Sequence, residues 1–130
     1  KKFPKNKIDF LILVSQTSNF RIPTSACILQ NKLDLRKDII AFDINLGCSG
    51  FIYALRMASS LIESKQVNNG IIVCADTYTK HISKTNTACR PIFSDAAAAT
   101  LVSKSKKNNM LITLPNKKNL RLSNFLNFKK

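Results

Sequence analysis

Cys48 stands between an apolar run, Ile39-Ile40-Ala41-Phe42-Asp43-Ile44, and a segment rich in Ala, Leu, Ile and Met. The run is short and β-branched, which predicts a buried strand over 39–44. The later segment repeats Phe51, Ala54, Leu55, Ala58, Leu61 and Ile62 at three- and four-residue spacing, which predicts a helix over 48–64. A thiol at such a junction lies at the helix N-terminus. There, free backbone N–H groups and the positive end of the macrodipole favour negative charge on sulfur. Gly47, Ser49 and Gly50 leave the corner open to an approaching carbonyl. The chemistry this pattern offers is nucleophilic, covalent catalysis. The same spacing equally fits a buried structural cysteine, because free cysteine is among the most buried residue types.

The elements that must position this corner alternate. Residues 8–14 read as a strand and 24–32 as a helix, with Pro23 fixing φ at its first turn. After the strand 39–44 and the helix 48–64, a turn leads to a third strand over 70–75, a polar stretch over 76–90, and further strands over 97–103 and 110–114. Strand-helix-strand units in series predict an α/β fold with a mostly parallel sheet and helices on both faces. In such sheets sites form at the carboxyl ends of the strands, where Cys48 falls.

Asp43, four residues, then Cys48-Ser49-Gly50-Phe51 leading into Tyr53-Ala54-Leu55 resembles the nucleophile segment of the β-ketoacyl-acyl-carrier-protein synthase III family, whose members are thiolase-fold condensing enzymes. Ile8 to Val14 followed by Ile22-Pro23-Thr24-Ser25-Ala26-Cys27-Ile28-Leu29-Gln30 is similar to the family's strand, Pro-started helix and Gln. Gly70 to Asp76 resembles its next strand, and Pro91-Ile92-Phe93-Ser94-Asp95 with Ala96 to Ala99 resembles its Phe-Gly-Asp-Gly-Ala-Gly-Ala segment. The matches run in family order over roughly residues 7–104.

The resemblance implies a partial thiolase-like fold, incomplete at both ends, with residues 1–104 forming part of the N-terminal half. It implies that Cys48 is the catalytic nucleophile and that its own backbone N–H helps hold the oxyanion. Cys48 would take an acyl group from acyl-coenzyme A or an acyl-carrier protein, and decarboxylative condensation with malonyl-carrier protein would follow, with no bound cofactor. It further implies a homodimer in the complete protein, in which Ile22 walls the neighbour's acyl pocket. The chain departs from the family at Ser94 and Ala96, where glycines are usual. Asn86-Thr87 replaces an Asp-Arg pair that helps hold coenzyme A, which favours a carrier-protein donor. The family's catalytic histidine and asparagine belong to the second half of the fold, beyond this chain. The chain thus reads as a central piece of an enzyme, and alone it is expected to lack condensing activity. The alternative is a non-catalytic fragment or acyl-binding subunit that needs a second polypeptide.

Twenty-one Lys and Arg against seven acidic residues give a formal charge of +14. Such a balance can mark a nucleic-acid binder, but the basic residues are scattered and no recognition motif accompanies them. An acidic carrier protein gives the surplus a simpler use. The cysteines at 27, 48, 74 and 89 lack metal-ligand spacing and there is one histidine, so neither a zinc site nor a disulfide framework is expected. His81 falls in the polar stretch and reads as an exposed loop residue rather than a base for Cys48. Asp95 precedes a strand at a turn, where Asp commonly bonds backbone. No apolar run is long enough to span a membrane and no secretory leader is evident, so a cytoplasmic location is the default. Residues 104–130 carry eight basic residues and no acidic one, and 105–130 reads as a poorly ordered basic tail.

Overall fold

The computed structural model describes residues 3–105 and, for its backbone, the strand Met110–Thr113. Five strands, β1 (Phe10–Val14), β2 (Ile40–Ile44), β3 (Asn69–Thr77), β4 (Asp95–Lys104) and β5 (Met110–Thr113), form one sheet in the order β2-β1-β3-β4-β5. β1 runs parallel to both neighbours, in register from Phe10↔Ile40 to Val14↔Ile44 and from Phe10↔Gly70 to Val14↔Cys74. β4 returns antiparallel along β3, from Asn69↔Ser103 to Thr77↔Asp95, and β5 is antiparallel to β4. The expected parallel arrangement therefore holds for β1 to β3, and the whole sheet is mixed. The reason is the connection. A parallel return needs a crossover element, and the link 78–94 contains only a single 3-10 turn, Tyr78–Lys80, so the chain turns back at the same end. β5 is the strand expected over 110–114, and it pairs along the free edge of β4. Of the segment 105–130 expected to be a basic tail, residues 106–109 and 114–130 lie outside the described residues.

The helices α1 (Ser25–Lys32) and α2 (Gly50–Glu63) cover opposite faces of the sheet. β1 is buried along its whole length because both faces are covered, as its unbroken Phe-Leu-Ile-Leu-Val sequence requires. Its alternation divides the core. Phe10, Ile12 and Val14 pack with Ala54, Ala58 and Ile62 of α2, and Leu11 and Leu13 pack with Ala26 of α1. α2 starts two residues later than the sequence predicts, so Cys48 precedes the helix and Ser49 is its N-cap. α1 also starts later than its proline indicates: Thr24 is the N-cap and Pro23, joined to Ile22 by a cis peptide bond, lies outside the helix. Its first turn is held from β2 instead, because Asp43 accepts from the backbone N–H of Ser25 (2.8 Å) and Ala26 (2.7 Å).

The buried stripe of α2, Gly50, Ala54, Ala58 and Ile62, recurs every four residues and is small over its first turns. This lets the helix start press directly on the end of β1. A Cβ added to Gly50 would stand 2.3 Å from Val14 Cγ1 and 3.2 Å from Leu46 Cβ. Gly50→Ala is expected to force the helix start away from β1 and to destabilise the chain by about 1–3 kcal/mol. A urea midpoint unchanged from wild type would contradict that packing.

Candidate active site

Cys48 is exposed, on the turn that carries the chain from β2 into α2. Gly50 N–H donates to Gly47 O (2.8 Å), which closes the turn around the cysteine. The N–H groups of Ile52 and Tyr53 donate to Ser49 O and start the helix. Among the described residues, nothing accepts from the backbone N–H of Cys48 or Ser49. Two donors at a helix start are thus left free beside an accessible sulfur, the arrangement that an oxyanion can use. Among the described residues the sulfur is exposed rather than buried.

The neighbouring strand ends fix the surroundings. Asp76, near the end of β3, accepts four hydrogen bonds through Oδ1. They come from Ser15 Oγ (3.3 Å), Gln16 N (2.8 Å), Thr17 N (3.1 Å) and Thr17 Oγ1 (2.9 Å). This ties the segment that leaves β1 to the end of β3. Tyr78 Oη donates to Gln16 Oε1, and the Tyr78 ring packs at 5.3 Å on Phe93. Asp95 accepts from Thr79 N (2.9 Å) and Thr79 Oγ1 (2.7 Å), and these bonds hold its carboxyl below the usual carboxylate range. That is the structural, backbone-bonding part the sequence assigns to it. Asp43, Asp76, Tyr78 and Gln16 were not singled out as site-forming residues. The visible signal was a polar residue at the end of each apolar strand, but which backbone each would fasten depends on the strand order.

The other candidates are exposed and make no hydrogen bond to Cys48. His81 is exposed on the turn after Tyr78–Lys80 and makes no hydrogen bond to Cys48. Ile22 is 91% exposed and does not line the cavity described below. That cavity, of about 110 Å³, lies on the α1 face beneath the segment after β1. Its walls include Leu13, Phe20, Leu29, Ala75 and Ala99, and Cys48 is not among them. Among the described residues, no cluster of His, Cys, Asp or Glu could hold a metal ion, and no helix is long and apolar enough to cross a membrane.

Comparison with known proteins agrees with this geometry. The model of the 3-oxoacyl-[acyl-carrier-protein] synthase III family matches residues 42–116, which include the end of β2, the Cys48 turn, α2 and β3 to β5. The β-ketoacyl-[acyl-carrier-protein] synthase III of Clostridium perfringens is 38% identical over 102 residues, covering 78% of this chain and 31% of that protein. The crystal structure of the synthase III from Aquifex aeolicus VF5 superposes with a TM-score of 0.74 at 34% identity, over 78% of this chain and 33% of that one. Another solved synthase III gives a TM-score of 0.76 at 37% identity. The sheet, the flanking helices and the cysteine turn thus define a partial thiolase fold. The chain belongs to the 3-oxoacyl-acyl-carrier-protein synthase III family, and it spans about a third of the length of the curated relatives it matches.

The four cysteines differ in accessibility. Cys27 and Cys48 are exposed, while Cys74 is half-buried in β3. Burial pushes the Cys74 thiol up, and the Asp76 charge adds to the effect. At about pH 8, iodoacetamide is expected to alkylate Cys27 and Cys48 well before Cys74. The lag should narrow as pH rises and the Cys74 thiolate forms. Peptide mapping that finds Cys74 labelled as fast as Cys48 at the lower pH would contradict the placement.

Proposed function

We propose that this chain supplies the nucleophile-bearing part of a 3-oxoacyl-acyl-carrier-protein synthase III-type acyltransferase. The observation that supports it most is the exposed Cys48 thiol, at the ends of the parallel strands and just before α2, with two unengaged backbone N–H groups beside it. In the first stage the Cys48 sulfur attacks the carbonyl carbon of an acyl thioester. A new carbon–sulfur bond forms, the donor's carbon–sulfur bond breaks, and the donor leaves as a thiolate that takes up a proton. The Cys48 N–H donates to the oxyanion, a contribution of about 3–4 kcal/mol for a well-placed donor. In the second stage a malonyl group on the carrier protein loses carbon dioxide. The resulting carbanion attacks the acyl carbon, and the Cys48 sulfur departs to leave a 3-oxoacyl product. The histidine and asparagine that this stage uses in the family belong to the second half of the fold.

An acyl-carrier protein is the proposed donor and acceptor. Its acidic surface suits the +14 chain, and long-range attraction would raise the encounter rate. A homodimer in which Ile22 reaches the neighbour's acyl pocket accords with the exposure of that side chain. A second reading, that the chain works only when paired with another polypeptide, is favoured by the outer face of α2. There Ile52, Tyr53 and Met57 are 64%, 57% and 44% exposed, an apolar stripe suited to a protein partner.

The test is carbon dioxide release from malonyl-carrier protein in the presence of an acyl thioester. The 130-residue chain is assayed alone and then with a second polypeptide carrying the remaining portion of a family relative. No release is expected from the chain alone. Release with the partner, lost in Cys48→Ala, is the expected result. Release that persists in Cys48→Ala would overturn the proposal.

A further inference from the structure

Gln16 occupies an unusual place among the residues around Cys48. It directly follows Ser15 at the end of β1, its side chain is exposed, and yet it is fixed at two points. Its backbone N–H donates to Asp76 Oδ1 (2.8 Å), and its Oε1 accepts from Tyr78 Oη. Tyr78 is itself held against the Phe93 ring. The amide so fixed lies against the residue before the nucleophile. A Cβ on Gly47 would stand 2.6 Å from Gln16 Oε1, 3.1 Å from Cδ and 3.6 Å from Nε2. Gly47 has no positive φ, so its lack of a side chain serves this close approach and not a left-handed turn. Gln16 thus bridges the ends of three strands: it leaves β1, is braced from β3, and rests on the turn that follows β2.

We propose that Gln16 is a positioning residue for acyl transfer. Braced by Tyr78 and Asp76, its amide covers Gly47 and holds the turn that presents Cys48 and its backbone N–H to the thioester. A long, exposed side chain ordinarily samples several rotamers. One that is hydrogen-bonded at its tip and anchored at its backbone does not, and a fixed supporting group is what keeps a nucleophile in a productive geometry. The inference rests on the reading of Cys48 as the nucleophile, and it makes Gly47, Gln16 and Tyr78 one energetic unit.

The test compares Gln16→Ala, Gln16→Met, Tyr78→Phe, Gly47→Ala and the Gly47→Ala/Gln16→Ala pair in the 130-residue chain. Two rates are read by peptide mapping: S-acylation of Cys48 by a short acyl thioester, and alkylation of Cys48 by iodoacetamide relative to Cys27 in the same molecule. Thermal unfolding serves as the control for folding. Each single variant is expected to slow Cys48 acylation on the order of tenfold while leaving Cys27 alkylation and the melting temperature unchanged. Gln16→Met keeps the bulk but loses the bond to Tyr78, so it should behave like Gln16→Ala. The double variant should be no slower than either single one, since Gly47→Ala acts by displacing Gln16. Normal Cys48 acylation in Gln16→Ala and Tyr78→Phe, or strictly multiplicative losses in the double variant, would overturn the inference while leaving the nucleophile reading intact. If wild type is not acylated, but Cys48 alkylation still changes with Gln16 and Tyr78 together, the nucleophile reading fails and the bracing of the turn stands. If neither rate responds, both fail.

Discussion

The place of Cys48 in space depends on one close approach, the backbone of Gly50 against Val14. A helix that starts in contact with a buried strand cannot slide or tilt at that end without opening the core. The turn before it, closed by the Gly50–Gly47 hydrogen bond, is therefore fixed relative to the sheet. Small residues at 54 and 58 extend the contact along the helix, and Ile62 finishes it among Phe10, Ile72 and Val102. The exposed thiol is thus attached to one of the most tightly packed regions of the chain. Burial of the elements and accessibility of the sulfur have the same origin, since the helix packs through its Gly-Ala stripe and leaves its N-terminal corner outside.

Carboxylates carry the second level of organisation. Of seven acidic residues in this basic chain, Asp9, Asp43, Asp76 and Asp95 each accept from the backbone of a segment distant in sequence. Asp9 accepts from Asn68 and Asn69 N–H at the start of β3, Asp43 from the start of α1, Asp76 from the segment after β1, and Asp95 from Thr79. Charge-assisted bonds of this kind are stronger than neutral ones and orient backbone that has no ladder partner. Acidic residues are few here, and four of the seven perform this fastening. Some basic side chains fasten segments too: Arg36 pairs with Asp9 and Asp38, and Lys80 donates to Asn19 Oδ1.

Much of this was legible in the sequence. The five-residue apolar run of β1, the small-residue stripe of α2 and the Gly-Cys-Ser-Gly turn each state a local rule that the fold obeys, and four family-like segments in order pointed to the thiolase fold. The misreadings came from interactions across the chain. Pro23 indicated a helix start by its fixed φ, but a carboxylate from β2 sets that start one residue after Thr24. β5 matches the strand expected over 110–114, and the partner it finds, the free edge of β4, follows from the strand order. Gln16 and Tyr78 carry no motif, and only the strand order brings them to Gly47.

The most direct measurement of the central claim is peptide mapping after incubation with a short acyl thioester, carried on coenzyme A and on an acyl-carrier protein. The account predicts acyl mass on Cys48 and not on Cys27, Cys74 or Cys89, with the carrier-protein donor the faster of the two. Equal acylation of exposed Cys27 and Cys48, or none on either, would contradict the claim that the turn between β2 and α2 is built to make Cys48 a nucleophile.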